Sequence, residues 1–270
     1  MVRLIIAFFV CCLATPGWTQ AQPSSPTATK PVAKKSATKT KAVQKLSPAA
    51  ESGPCRIGII PAIGEQITVQ KVGLMVFGNA LNEVTASGWA LDDLVVARVR
   101  AAAGGSGVRR VTFAKEAFAG VQKLGLYGST RPELKNVLQQ ITAGFNCERY
   151  VLVTPRGSRF GNTNQEVNGI GVVHWDSILS RAYVFALTYI RVFDGQTLDA
   201  IKQDSASLDG QSALYHALFT GPIVGPFRQF DATSFPANPP DVLSNATIRD
   251  DVRILLSTSL DKTLPGLLQR

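Results

Sequence analysis

The first 53 residues constrain the fold of this 270-residue chain more than any other feature, because they hold little that can form a packed core. Residues 22–53 consist mostly of Pro, Ser, Thr, Ala and Lys, with almost no large apolar side chains. Such a segment cannot bury enough apolar surface to offset the conformational entropy that is lost when it becomes ordered. The sequence therefore predicts a disordered tether at residues 22–53 and a single folded domain at residues 54–270.

Residues 1–21 have the three parts of a secretory signal peptide. Arg3 supplies the positive start, residues 4–14 form an unbroken apolar run, and Thr19 and Ala21 place small side chains at a cleavage site. An uncleaved membrane anchor is the alternative, but a spanning helix needs about 20 apolar residues and this run has eleven. We therefore expect cleavage after Ala21, a periplasmic or secreted protein, and no transmembrane segment in the mature chain.

The positive charge of the chain is concentrated in the predicted tether. Of the formal net charge of +9, six lysines and one glutamate of the tether contribute +5, and Arg3 contributes one more. The domain therefore carries only +3, which argues against nucleic acid as a partner, because nucleic acid is normally bound by a basic folded surface. Two interpretations of the tether stay open: a basic arm that contacts anionic lipid or wall polymer, and a solvated spacer. The six lysines are Lys30, Lys34, Lys35, Lys39, Lys41 and Lys45.

Two cysteines remain after signal cleavage, Cys55 and Cys147, and each stands at the start of a strand-like run. Two neighbouring parallel strands would bring these starts together, and a disulfide there would close a loop of about 90 residues. An exported location permits such a bridge. The alternative is a pair of buried thiols that act as small hydrophobic side chains. No metal site is predicted, because neither His174 nor His216 lies at ligand spacing from a cysteine.

Strands and helices alternate in the first part of the predicted domain. Gly73 and Gly78 indicate a bulge or close backbone packing within the second strand. Apolar runs predict strands at residues 57–62, 67–77, 110–113 and 150–154. Helical spacing of apolar residues predicts helices at residues 91–103 and 132–143.

The second part of the domain contains the clearest hairpin of the chain. Residues 183–193 alternate between apolar and polar, Asp194 and Gly195 supply the turn, and residues 197–205 return. Together these elements predict an α/β (α+β) fold, with a mixed β-sheet, packed helices, a late antiparallel hairpin and a C-terminal helix. The remaining predicted elements are a polar loop at 155–168, a strand at 169–175, a long Gly/Pro-rich connector at 222–240, and a helix at 248–268 that Pro265 is expected to kink or restart.

Four segments of the chain resemble the small α/β domains of Gram-negative envelope proteins. Members of that group are the amino-terminal domain of the Tol-system periplasmic propeller protein and the soluble domain of the curli-secretion channel, and uncharacterised secreted bacterial proteins are similar as well. The resemblance implies a fold and a role in binding other envelope components without an active site. No propeller and no channel-forming segment follows, so neither activity is implied for this chain. The matching segments are residues 57–62, 72–79, 150–154 and 191–197.

The sequence lacks the common catalytic motifs. It contains no Gly-x-Ser-x-Gly elbow, no P-loop and no His-Glu-x-x-His, and no cofactor is predicted. His174 and Asp176 are the only clustered residues of catalytic type, and on a strand they would face the same way, so that the carboxylate could orient a general base. The alternative is a packing site beside Trp175. Asp92 and Asp93 fit first-turn acids of a helix better than an acid/base pair.

Two loops have the composition of contact surfaces. One combines Arg and Phe with Asn and Gln side chains, which suits a polar polymer or the rim of a protein interface. The other combines aromatic residues with Arg, which is typical of interface anchors. In both loops the alternative is that the aromatic rings fold onto the core. The predicted binding residues are Arg156, Arg159 and Phe160 in the first loop, and Phe227, Arg228 and Phe230 in the second.

Three functional hypotheses follow from the sequence. The first is an exported, non-enzymatic binding or assembly protein of the cell envelope, whose partner is an envelope protein or an anionic polymer. The second is a periplasmic hydrolase that uses His174 and Asp176. The third is peripheral membrane association through the basic tether.

Overall fold

A computed structural model of the chain describes residues 53–74, 76–118, 131–176, 179–208 and 221–269. The predicted signal peptide, residues 22–52 of the predicted tether, and His216 lie outside these residues. The described residues belong to one compact unit.

Alternating and continuous apolar runs form the strands, and helical spacing forms the helices. In the part of the chain that the structure describes, the α-helices are α1 (Leu91–Ala102), α2 (Arg131–Thr142) and α3 (Ala246–Leu268). Within the described residues the strands are, in chain order, β1 (Cys55–Pro61), β2 (Gln66–Val72), β3 (Ala80–Thr85), β4 (Val108–Arg110), β5 (Cys147–Pro155), β6 (Gly157–Arg159), β7 (Glu166–Asn168), β8 (Ile170–Trp175), β9 (Arg181–Ala186), β10 (Thr188–Asp194), β11 (Ala200–Ser205) and β12 (Phe227–Phe230).

The first sheet has the strand order β11-β10-β5-β1-β4. Strands β4, β1 and β5 are parallel, and β10 and β11 are antiparallel additions. Strand β5 lies at the centre and is buried on both faces, which explains its continuous apolar sequence. Parallel pairing aligns Cys55 with Cys147 at the start of β1 and β5, with 4.4 Å between their Cα atoms. The two residues form a disulfide, which confirms the predicted pairing.

The second sheet has the strand order β12-β9-β8-β2-β3. Its central pair, β2 and β8, is parallel, and the other neighbours are antiparallel. The small hairpin β6–β7 forms a third sheet. The mixed α/β fold is thus confirmed, with its strands divided between two large sheets.

A single chain segment passes from the second sheet into the first at Leu187. Its amide donates to the Gly169 carbonyl at 2.7 Å, and its carbonyl accepts from the Arg156 amide at 3.0 Å, between β9 and β10. The predicted arm at 183–193 is therefore two strands in different sheets, and only β10 pairs with β11. The turn between β10 and β11 is as predicted. Backbone amides of Thr197 and Gln196 donate to the Asp194 carboxylate at 2.9 Å and hold its pKa below the ordinary value.

One hydrophobic core joins both sheets to α1 and α3. Its completely buried side chains include residues of β1, β2, β4, β5, β8, β9, β10 and the two helices. The helix α3 contributes most of the leucines on one face, as its spacing predicts. A second core lies under α2 on the opposite face of the first sheet. A third core lies between the second sheet and the β6–β7 hairpin.

Several boundaries differ from the sequence predictions. The second predicted strand ends at Val72 and not at residue 77, and the predicted strand at 110–113 is found at Val108–Arg110. The helix α3 continues through Pro265 to Leu268, so Pro265 does not restart it. Four strands were not predicted, and three of them lie in predicted loops: β6 and β7 in the polar loop, and β12 in the Gly/Pro-rich connector. The fourth, strand β3, was not predicted because its side chains are almost all exposed and carry no apolar alternation.

Candidate functional site

Four strands of the second sheet bring their loops together at one edge. Strands β2 and β8 are parallel and end side by side, with Lys71 opposite His174. Strand β9 begins at the same edge, where Arg181 pairs with Trp175. Strand β12 runs antiparallel to β9 and ends there as well. We call this edge of the second sheet the site end.

An open cleft of about 220 Å³ lies at the site end. It contains both His174 and Asp176, so the two predicted catalytic candidates share one cavity. The ring of Phe235 forms one wall, with its centroid 5.2 Å from that of His174 and 5.8 Å from Lys71 Nζ. The other residues that line the cleft are Ala232, Pro236 and Ala237.

A hydroxyl group that the sequence analysis did not identify lies beside His174. The Ser180 Oγ is 3.2 Å from His174 Nε2, within hydrogen-bonding distance. Within the part of the chain that the structure describes, no hydrogen bond joins the Asp176 carboxylate to His174, and the Asp176 amide donates to the Val72 carbonyl at 2.8 Å. His174 therefore has a hydroxyl partner but no orienting carboxylate. No local sequence pattern marks Ser180, because its proximity to His174 results from the pairing of β8 with β9.

The predicted contact residues Arg156 and Phe160 are interior residues. Phe160 is completely buried and makes edge-to-face contacts with Trp175 and Tyr183, at centroid distances of 5.9 and 6.2 Å. The buried Arg156 guanidinium donates to the Val224 carbonyl and so holds the 221–226 segment against β5. The prediction that Phe160 and Arg156 belong to a contact surface is corrected. The Phe160 ring is more stable inside the third core than in water, and the Arg156 side chain supplies a hydrogen bond to the Val224 carbonyl.

The other predicted contact residues are at or near the surface. Arg159 is exposed, and its Nε donates to the Thr163 carbonyl at 3.3 Å. Phe227 is half-buried against Tyr183, and Phe230 is half-buried against the main core. Arg228 is exposed and forms an ion pair with Asp251 of α3. The structure does not bring the Arg159 loop and the β12 residues into the cleft.

Three large apolar side chains protrude at the site end. Leu74 is 75% exposed, Phe77 is 100% exposed and Leu179 is 68% exposed. Leu74 and Phe77 lie in the loop after β2, and Leu179 lies just before β9, so the strand pairing places all three at the same edge. We call these three residues the apolar tip. The sequence analysis missed the tip because it assigned residues 67–77 to one strand.

A narrow neck closes the loop that carries Leu74 and Phe77. The Gly73 amide donates to Asn79 Oδ1 at 2.9 Å across the base of the loop. A Cβ atom at Gly78 would lie 3.1 Å from the Gly73 Cα, so the two glycines allow a close backbone approach. The predicted close packing of these glycines is present, and its effect is to end β2 and turn the apolar loop outward.

Away from the site end, Asp92 has a perturbed carboxyl group. Burial raises the pKa of Asp92 from 3.8 to about 6, although amides of Gly64 and Ile63 and the nearby Arg110 partly oppose the shift. Its Oδ1 is buried without a hydrogen-bond partner. Asp92 lies in the first turn of α1, as predicted, and neighbouring Asp93 forms an exposed ion pair with Arg110 at 2.5 Å. The two aspartates therefore do not form an acid/base pair.

Replacement of Asp92 by Asn is expected to flatten the pH dependence of stability between about pH 4 and pH 6. The folded-state pKa lies above the value of 3.8, so folding favours the protonated carboxyl. The stability that this group contributes is complete below about pH 4 and is lost as the pH rises through about 6. Urea unfolding of the natural chain and of Asp92→Asn across this range measures the difference. Asp93→Asn is the matched control, and an equal slope in natural chain and Asp92→Asn would contradict the assignment.

Two structural features are absent from the residues that the structure describes. No helix in residues 53–269, within the ranges that the structure describes, is long and apolar enough to cross a membrane. The same described residues contain no group of three or more His, Cys, Asp and Glu side chains that could hold a metal ion.

Comparisons with known proteins find structural neighbours among bacterial proteins. The PelC dodecamer from Paraburkholderia phytofirmans is 8% identical, with 77% of this chain and 86% of that chain covered and a TM-score of 0.30. Protein XCC0632 from Xanthomonas campestris is 9% identical, with 82% and 86% covered and a TM-score of 0.32. Lipoprotein GNA1162 from Neisseria meningitidis is 12% identical, with 73% and 97% covered and a TM-score of 0.23.

Identities and TM-scores this low do not transfer an activity, ligand or assembly to this chain. No protein-family model matches the sequence. No curated protein gives a significant match to it. The Tol-system and curli-secretion proteins are not among the three neighbours described above, so that resemblance remains a prediction.

Proposed function

We propose that this chain is an exported, non-enzymatic protein that binds or assembles components of the bacterial cell envelope. The observation that carries the proposal is the apolar tip, Leu74, Phe77 and Leu179, at one edge of the second sheet. Single exposed apolar residues are common on soluble proteins, but a group of large ones at one edge is typical of an interaction site. The tip gives the domain a surface for contact without requiring a catalytic centre.

The Cys55–Cys147 disulfide supports the exported location. Both cysteines are buried in the first sheet and bridge the starts of its central parallel strands. Disulfides persist in oxidising compartments such as the periplasm and are rare in the cytosol. The bridge therefore agrees with the signal peptide that the sequence predicts at residues 1–21.

Site-specific photo-crosslinking in native envelopes tests this function. A photoreactive phenylalanine analogue at position 77 is expected to capture an envelope component, because the side chain is fully exposed at the tip. The same analogue at position 254 is the matched control, since Ile254 is an exposed apolar residue on α3. Equal capture from both positions, or none from position 77, would contradict the proposal.

A second candidate function is hydrolysis, and the contact between Ser180 and His174 favours it. A histidine within 3.2 Å of a serine hydroxyl can accept its proton when the oxygen attacks an acyl group. Asp176 lies in the same cleft and would need to rotate toward His174 to act as the orienting carboxylate. Ser180 would be the nucleophile, His174 the general base and Asp176 the third member of this arrangement.

A fluorophosphonate probe, which reacts with activated serines, tests the hydrolase candidate. If the candidate is right, the natural chain is labelled, and Ser180→Ala and His174→Ala abolish labelling without lowering the melting temperature. Ser257→Ala is the control, because the Ser257 hydroxyl donates to the Ile254 carbonyl on α3, outside the cleft. Labelling that survives Ser180→Ala, or no labelling of the natural chain, would reject this function.

A further inference from the structure

We infer that the apolar tip inserts into the interfacial region of a lipid bilayer. The inference deepens the proposed envelope function, on which it rests, by naming the chemical class of the partner. It assigns the membrane contact to Leu74, Phe77 and Leu179 of the folded domain, whereas the sequence had suggested only the lysine tether.

The tip consists of large apolar side chains that are exposed to solvent. Phe77 is fully exposed and Leu74 is three-quarters exposed, so neither side chain is covered by the described part of the domain. A projecting ring requires a matching pocket in a protein partner, whereas the acyl boundary of a bilayer adapts to its shape. Apolar side chains on such a projection partition a few ångströms into the boundary between headgroups and acyl chains.

The loop that carries Leu74 and Phe77 is held together at its base. The hydrogen bond from Gly73 to Asn79 and the close approach of Gly73 and Gly78 fix the base of the projection. A fixed base means that the loop loses little conformational entropy when it enters the bilayer. Residues 72–82 contain no charged side chain, so no charge has to be desolvated with Phe77.

Charged and aromatic side chains lie around the tip. Lys71 is exposed immediately before the loop, and Arg181 is exposed two residues after Leu179. Two exposed carboxylates, Asp176 and Asp231, lie at the same edge, so the charges there balance. Trp175, half-exposed at the end of β8, lies between the cations in the strand order. Apolar residues flanked by Trp, Lys and Arg form the composition that favours a membrane interface.

Vesicle co-sedimentation tests the inference with the purified exported chain. The vesicles contain equal parts of phosphatidylethanolamine and phosphatidylglycerol, and phosphatidylcholine vesicles serve as the neutral comparison. We expect binding to the anionic vesicles, and a loss of at least about ten-fold in the partition coefficient for the double variant Leu74→Ser, Phe77→Ser. We expect Phe77→Trp to keep binding and to shift its fluorescence to the blue on vesicle addition, because Trp favours the interface.

Two control variants separate the tip from other surfaces. Ile201→Ser with Ile254→Ser removes two exposed apolar side chains elsewhere and should leave binding unchanged. Replacement of the six tether lysines by Gln measures the share of binding that the tether contributes, while its length is kept. Lys71→Gln with Arg181→Gln should weaken binding to anionic vesicles and leave neutral vesicles unaffected.

Three outcomes would overturn the inference. The natural chain fails to bind anionic vesicles, or the tip variant binds as strongly as the natural chain. The third outcome is that analytical ultracentrifugation shows a dimer for the natural chain and a monomer for the tip variant, which would assign the tip to contact with a second copy of the chain. Crosslinking from position 77 to an envelope protein, without vesicle binding, would reject the lipid partner and leave the proposed envelope function standing.

Discussion

Reduction of the Cys55–Cys147 disulfide is expected to lower the free energy of unfolding by roughly 4–5 kcal/mol. The bridge joins residues 92 positions apart, so it restricts a long loop of the unfolded chain. In the chain-entropy model, a loop of this length gives a stabilisation near the upper end of the usual range. The loss would be a large fraction of the total stability of a domain of this size.

Urea unfolding with and without reductant measures this effect. The midpoint should fall on reduction, and the slope of the free energy against urea should rise, because the reduced unfolded chain exposes more surface. The double variant Cys55→Ala, Cys147→Ala should unfold near the reduced midpoint and should not respond to reductant. A natural chain whose midpoint is insensitive to reductant, or two free thiols in the denatured, unreduced protein that lacks the signal peptide and its Cys11 and Cys12, would contradict the bridge.

The substitution Gly171→Ala is expected to destabilise the domain by about 3 kcal/mol or more. Gly171 lies in β8 opposite Thr68 of β2, at the centre of the second sheet. A Cβ atom there would lie 2.1 Å from the Thr68 carbonyl oxygen, so the two strands would have to separate. Because the contact is with backbone, no side-chain rotation relieves it.

Thermal and urea unfolding of Gly171→Ala test this expectation against a matched glycine. Gly88 is exposed, and a Cβ atom there meets no atom within 4 Å. Gly88→Ala should therefore change the stability by less than about 0.5 kcal/mol. Equal stabilities of the two variants would show that β2 and β8 do not approach each other as closely as described.

The cysteine pairing was predicted from local signals together with one non-local condition. Each cysteine begins an apolar run, and parallel neighbours align their starts, so Cys55 and Cys147 are in register once β1 and β5 are neighbours. The division into two sheets was not predictable in the same way. Residues 183–187 are all apolar and residues 188–193 include Thr188 and Arg191, but the backbone contacts that move the chain between sheets at Leu187 are made with distant residues.

The site was predicted in part, and burial explains where the prediction failed. His174 and Asp176 share a cleft because side chains two apart on a strand share a face. The composition of its loop suggested that Phe160 was exposed, but Phe160 is buried. The apolar run at residues 67–77 suggested one strand, but Phe77 is fully exposed in the loop that follows β2. Apolar character indicates a preference for burial, but the number of partners available at each position decides which ring is covered. Gly73 and Gly78 were the local signal that could have placed Phe77 in a loop.

The passage of one continuous segment through both sheets at Leu187 also determines what can be removed from this protein. Because β9 and β10 follow each other directly in the chain, deletion of residues 181–194 would remove an interior strand from each of the two sheets. α3 packs on the core that both sheets share, so truncation at the C-terminus would uncover both at once. A fragment that keeps both sheets and covers their shared core therefore needs residues 55–268, and insertions are best tolerated at surface loops.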